Sequence, residues 1–245
     1  MLNKNSLKAR GWVGQWDDKK RVGILSDILI VFAPLLVFGV LGEWLGDDTS
    51  VGAVFINLAY LLSVGAATVV LRSRGLGWRD MGLARPGSWP KTILLGFGVA
   101  VGALLASVAV QVIIQVIPGM EIAPRDQSSY DALNGNLPLL ILYLAAAWTS
   151  ITFGEEMIYR AFLTNGLAAL FPGKKGQWAL ALIGSSVIFG LAHFSWGLAG
   201  ILETMALGFV FGSAYLMSGR NLWVSIIAHG LANTLGFIIL FSGMV

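Results

Sequence analysis

Seven apolar runs, at about 24–42, 51–71, 91–117, 137–171, 178–194, 198–217 and 221–243, limit what this chain can fold into. A run of about 20 apolar residues crosses a hydrocarbon core as a helix. The composition agrees: 56% of the 245 residues are hydrophobic and 12% are charged, against about a quarter charged in soluble domains. The chain reads as an integral membrane protein, with no length left for a separate soluble domain. The expected fold class is all-α, a polytopic transmembrane bundle of about seven to eight membrane helices. The count depends on the fourth run, whose roughly 35 residues make a helix of about 50 Å against a core of about 30 Å. That run must tilt, break or continue along the interface before Pro172-Gly173 ends it.

Charge sets the orientation. Basic residues gather at the N-terminus (Lys4, Lys8, Arg10, Lys19, Lys20, Arg21), in 72–91, at Lys174/Lys175 and at Arg220. The intervening connections, "EWLGDDTS" at 43–50, 118–136 and the turn near 195, are acidic or nearly neutral. The positive-inside rule therefore predicts a cytoplasmic N-terminus and an outer C-terminus, in the plasma membrane if the source is prokaryotic. The run from Ile24 is too long for a signal-peptide core and has no clear cleavage site, so it reads as a retained first span. Trp44, Trp89, Trp178, Trp196 and Trp223 fall at expected span ends, as an interfacial belt requires. The organisation expected is a basic cytoplasmic segment 1–23, transmembrane helices through 24–136, and a transmembrane core 137–245. The pairs Gly98/Gly102 and Gly208/Gly212 predict close helix approach, and 118–136 predicts a flexible outer connection. Absence of cysteine excludes disulfides, thiolate nucleophiles and thiolate metal ligands. A formal charge of +3 is too small to suggest nucleic acid.

Against this background "ITFGEEMIYRAFL" (151–163) stands out. A carboxylate at mid-bilayer costs about 2.5–3.5 kcal/mol on insertion scales. The two histidines of the chain, His193 and His229, also lie within or at the end of apolar runs, as do Asn233 and Glu203. Helical spacing sorts these groups. Glu156 and Arg160 are i and i+4 and can pair, while Glu155 is rotated from Glu156 by about 100°. His229 and Asn233 share a face, and so do Phe189 and His193. A desolvated carboxylate can act as a general base towards water. A neighbouring histidine can orient that water or, as neutral imidazole, bind a metal. A second histidine with an asparagine can donate to an oxyanion. No serine is placed beside a histidine as base, so activated water is favoured over a covalent intermediate. Glu203, about one turn inside its span, reads as a structural or rim residue. Along the helix axes His229 and His193 lie about 12 Å and about 24 Å from the cytoplasmic side, so the helices must tilt, or the fifth span must start outside the hydrocarbon, for the two to meet. A water-filled cavity opening to the cytoplasm is expected.

The stripes "EEMIYR", "FGLAH" and "HGLAN" fit E-E-x-x-x-R, F-x-x-x-H and H-x-x-x-N in that order, on separate spans. Together they resemble the CPBP (Abi) family, which holds CAAX prenyl endopeptidases and bacteriocin-processing or immunity proteins. The resemblance covers roughly 137–243. It implies an intramembrane endopeptidase acting on a membrane-associated peptide or protein, with Glu155 as base and His193 positioning the water. Glu156 and Arg160 would organise the carboxylates, and His229 with Asn233 would form the oxyanion side. Family members are described both as metal-dependent and as glutamate proteases. No H-E-x-x-H helix is present, and no obligatory cofactor is expected; a bound zinc would take Glu155, His193 and His229. Two other readings remain open, a non-catalytic scaffold or immunity protein and a proton-coupled or small-molecule transporter. The sequence shows no inverted repeat, which weighs against the last.

Overall fold

The computed structural model describes residues 19–45, 50–117, 128–171, 173 and 175–243. The basic segment 1–18, most of the 118–136 connection and Pro172 lie outside them, and with these go the expectations placed there. Seven apolar helices run through the described residues: α1 (Gly23–Gly42), α2 (Ser50–Ser73), α3 (Trp89–Val116), α4 (Leu137–Ala169), α5 (Gln177–Leu191), α6 (Gly197–Met217) and α7 (Leu222–Ser242). Six of the seven are long and apolar enough to cross a membrane. The chain is thus a polytopic helical bundle. The exception is α5, whose 15 residues make about 22 Å, short of a 30 Å core.

The helix starts follow from their capping residues. Ser88 accepts from the Lys91 amide ahead of Pro90 in the first turn of α3. Asn136 does the same for Leu139 at 3.2 Å and Asn221 for Trp223 at 3.2 Å. The long fourth run does not break. Its 33 residues stay helical from Leu137 to Ala169 but widen to π geometry at Ala147–Ile151 and again at Glu156–Leu163.

Small residues set how closely the helices pack. A Cβ at Gly208 would touch Ser186 and Phe189, one at Gly212 would lie 2.5 Å from Leu182, and one at Gly190 would lie 2.8 Å from the Ile201 carbonyl. Gly208 and Gly212 therefore allow α5 to pack against α6, as their spacing predicts. Gly98 and Gly102 do not act this way, because a Cβ added at either would meet no neighbouring atom within 4 Å. The buried face of α3 is Thr92, Gly96, Ala100 and Ala103, and its close contact is Gly96 on Ile227 of α7. Gly98 is two residues off that stripe, on the opposite side of the helix.

The 74–88 connection is folded onto the end of the bundle. Met81 is fully buried, its carbonyl accepts from the Tyr215 hydroxyl at 2.7 Å, and the Gly82 carbonyl accepts from the Leu222 amide at 3.1 Å. Arg220 donates to the Asp80 carbonyl, and the Trp223 indole donates to the Ala84 carbonyl at 3.1 Å. At the expected belt positions Trp89 packs on Trp223, Trp178 lies beside the Arg220 guanidinium, and Trp44 is 81% exposed.

Candidate active site

The second π segment carries the charges that the sequence makes conspicuous. A π turn bonds i to i+5, and the Thr164 amide and hydroxyl both return to the Tyr159 carbonyl. Such turns are frequent at functional sites. Glu156 and Arg160 are buried there, 0% and 2% exposed, and Glu155, the residue just before the segment, is 4% exposed. Arg160 Nη1 lies 3.2 Å from Glu156 Oε1, so the i, i+4 pair expected from spacing is formed. Its guanidinium also lies over the Phe189 ring at 4.2 Å and beside Phe211 at 5.5 Å, where ring faces supplement one carboxylate in balancing the cation.

His229 of α7 reaches both glutamates. Its Nδ1 is 2.8 Å from Glu156 Oε1 and its Nε2 is 3.6 Å from Glu155 Oε2. A carboxylate accepts, so Nδ1 carries the hydrogen in the Glu156 bond. The imidazole stacks on Phe211 at 4.8 Å and 17° between planes, which fixes its orientation. Gly230 makes this placement possible, since a Cβ there would lie 2.4 Å from the Trp148 ring. The Trp148 indole donates to Thr234 on the same helix at 3.0 Å. Asn233, one turn beyond His229, donates through Nδ2 to the Thr152 hydroxyl at 3.0 Å. That bond uses one amide hydrogen and fixes the direction of the other.

His193 lies two residues beyond the end of α5, at the end of the fifth apolar run as expected, and Phe189 links it to the rest. Its Nδ1 bonds the Phe189 carbonyl at 2.8 Å, which places the hydrogen on Nδ1 and the lone pair of the neutral ring on Nε2. The Phe189 ring lies 4.8 Å from His193, 5.0 Å from Tyr159 and 6.3 Å from His229. The Phe189 ring thus lies within ring-contact distance of both histidines. Trp196 covers His193 from the other side at 4.6 Å.

Two aspects of the site are invisible in the motif spacing. Tyr60 of α2 donates to Glu155 Oε1 at 2.9 Å, so a helix from the first half of the chain reaches the site. Thr152, Trp148 and Phe211 act on Asn233, Gly230 and His229 respectively. Treating every polar group in an apolar run as informative would have flagged Tyr60, together with Asn57 and Ser63, at i, i+3 spacing on 51–71. Phe211 carries no such signal.

Glu156 Oε2 and both terminal nitrogens of Arg160 are buried with no protein hydrogen-bond partner. The Arg160–Glu156 contact is therefore an ion pair without hydrogen-bond geometry, and it leaves capacity for further polar partners. A metal fits these residues less well. Among the described residues no three His, Asp or Glu side chains converge as ligands of one ion. His229 stands between the two carboxylates with Nδ1 committed to Glu156, and the Nδ1 of His193 is committed to the Phe189 carbonyl.

Fold and site together define a polytopic membrane protein with a buried glutamate–arginine–histidine cluster at the meeting of α2, α4, α5, α6 and α7. Residues 137–235 match the family model described as Rce1-like, type II CAAX prenyl endopeptidase Rce1-like, and all of the sequence-derived site residues lie inside that stretch. The match supports the CPBP/CAAX protease family and, in general terms, a CAAX-type intramembrane protease. Neither the curated proteins nor the solved structures give a match.

Proposed function

We propose that the chain hydrolyses a peptide bond in a membrane-associated substrate, with water activated by Glu155. The observation that carries this reading is the burial of Glu155 beside Glu156, Arg160 and His229, within the stretch that matches an endopeptidase family. Glu155 takes a proton from water as the water oxygen bonds to the carbonyl carbon. His193 orients that water through Nε2. The tetrahedral oxyanion accepts from the Asn233 amide hydrogen not held by Thr152 and is stabilised from the His229 side. Collapse breaks the C–N bond, and the proton on Glu155 passes to the leaving amine. Glu156, itself paired with Arg160, holds the imidazole through Nδ1. No step is routed through a metal. In this reading the N-terminus of the enzyme lies on the cytoplasmic side, towards which the water-filled cavity of the site opens.

The test is cleavage of an internally quenched, farnesylated peptide ending in a CAAX sequence, by the full chain in proteoliposomes. Glu155→Gln keeps size and loses basicity. Its turnover is expected to fall by roughly 10²–10⁴, with the protein still folded by circular dichroism. Equal cleavage by the variant would remove Glu155 from the role of base.

A further inference from the structure

The family match begins at residue 137, yet one of the hydrogen bonds to the Glu155 carboxylate comes from residue 60. We propose that Tyr60 is a positioning residue of the hydrolytic site: its hydroxyl holds Glu155 Oε1 and aims Oε2 at the substrate side. This rests on the reading of Glu155 as the base.

The sequence supports the contact from both helices. Tyr60 is 8% exposed, and its hydroxyl meets a carboxylate that is 4% exposed, so little water competes for the bond. On α4 the residue before Glu155 is Gly154, where a Cβ would come within 3.2 Å of the Tyr60 Cβ. The absence of that side chain lets α2 lie flat against the first carboxylate. One turn earlier Ser150 bonds Asn57, and Asn57 in turn donates to the Ala53 carbonyl at 2.8 Å. Asn57 and Tyr60 thus form a polar stripe on α2 that runs alongside Ser150, Gly154 and Glu155 on α4. A ladder of this kind fixes the register of the two helices as well as the carboxylate.

The geometry divides the labour on Glu155. One oxygen accepts from Tyr60, and the other faces His229 Nε2 at 3.6 Å, beyond hydrogen-bond distance. A carboxylate anchored by one oxygen loses rotational freedom about its terminal bond, so the remaining lone pairs point in one direction. Base catalysis depends on that direction as much as on proton affinity.

The test uses the full chain in proteoliposomes, with Tyr60→Phe and with 3,5-difluorotyrosine at position 60, which keeps the shape and changes the acidity of the donor. Cleavage of the farnesylated CAAX peptide is measured across pH. In parallel, modification of Glu155 by dicyclohexylcarbodiimide is followed across pH by mass spectrometry and needs no substrate. For Tyr60→Phe, kcat is expected to fall roughly tenfold or more with little change in KM. Both variants are expected to displace the pH–kcat curve and the pH–labelling curve from those of the wild type. A purely packing role for Tyr60 would lower the active fraction and leave both curves in place. If the peptide is cut and neither kcat nor either curve moves, the positioning role is overturned. If the wild type leaves the peptide intact while the labelling curve still moves, the coupling of Tyr60 to Glu155 stands and the hydrolytic reading fails.

Discussion

Two of the carboxylate sites among the described helices, that of Glu203 and that of Glu155 and Glu156, are built differently. Glu203 on α6 has a donor for each oxygen, Ser107 for one and Gln111 for the other at 3.0 Å, both from α3. Its partners are neutral, and all three residues are half-buried. Glu155 and Glu156 are more deeply buried and share one imidazole, Glu156 also pairs with the Arg160 guanidinium, and Glu156 Oε2 and the two terminal nitrogens of Arg160 are left without hydrogen bonds. A fully satisfied carboxylate joins two helices. An under-satisfied one beside cations retains capacity for another molecule.

Substitutions can break or sharpen that contrast. The largest effect is expected at Glu155→Gln, where peptide turnover falls by roughly 10²–10⁴ with the fold intact. Next is Arg160→Met, which leaves Glu156 buried without its cation. A loss of about 3–5 kcal/mol is expected in chemical unfolding, and a variant as stable as wild type would mean His229 alone balances the carboxylate. Gly230→Ala forces a methyl into the Trp148 ring and should cost about 1–3 kcal/mol, with reduced turnover because His229 is the adjacent residue; thermal melts and the peptide assay read the two effects. Glu203→Gln keeps an acceptor for one donor and is expected to cost about 1 kcal/mol or less, leaving turnover unchanged. If it abolishes cleavage instead, the two carboxylates are functionally alike and the contrast fails. The smallest effect belongs to Gly98→Ala, expected within about 0.5 kcal/mol because the added methyl meets no neighbour.

The helical class and the site stripes were legible because a bilayer makes polar groups expensive. Glu155, Glu156, Arg160, His193, His229 and Asn233 announced themselves against apolar surroundings, and i, i+4 spacing gave the Glu156–Arg160 pair directly. What spacing could not supply was the contact between helices. The i, i+4 rule placed His229 with Asn233, but it could not show that His229 leans on Glu156 while Asn233 leans on Thr152. Nor could it separate the glycines, since the interval in Gly98/Gly102 is the same as in Gly208/Gly212. Only the rotation of each helix decides which interval faces a neighbour. The same reason hid Tyr60, whose hydroxyl is unremarkable until Gly154 is seen to admit it.

The folded 74–88 connection has a bearing on synthesis. Its anchors, Tyr215, Arg220, Leu222 and Trp223, lie around the last turn of the chain, and the Arg220–Asp80 bond joins residues 140 apart. At about 5–20 residues per second, a ribosome needs roughly 7–28 s to make that interval. Through that time the 74–88 connection lacks these anchors, although Arg74 already pairs with Asp27 and donates to the Gly23 carbonyl of α1. The first two helices can therefore pair early, and the connection that follows them is fastened only when the final hairpin is made.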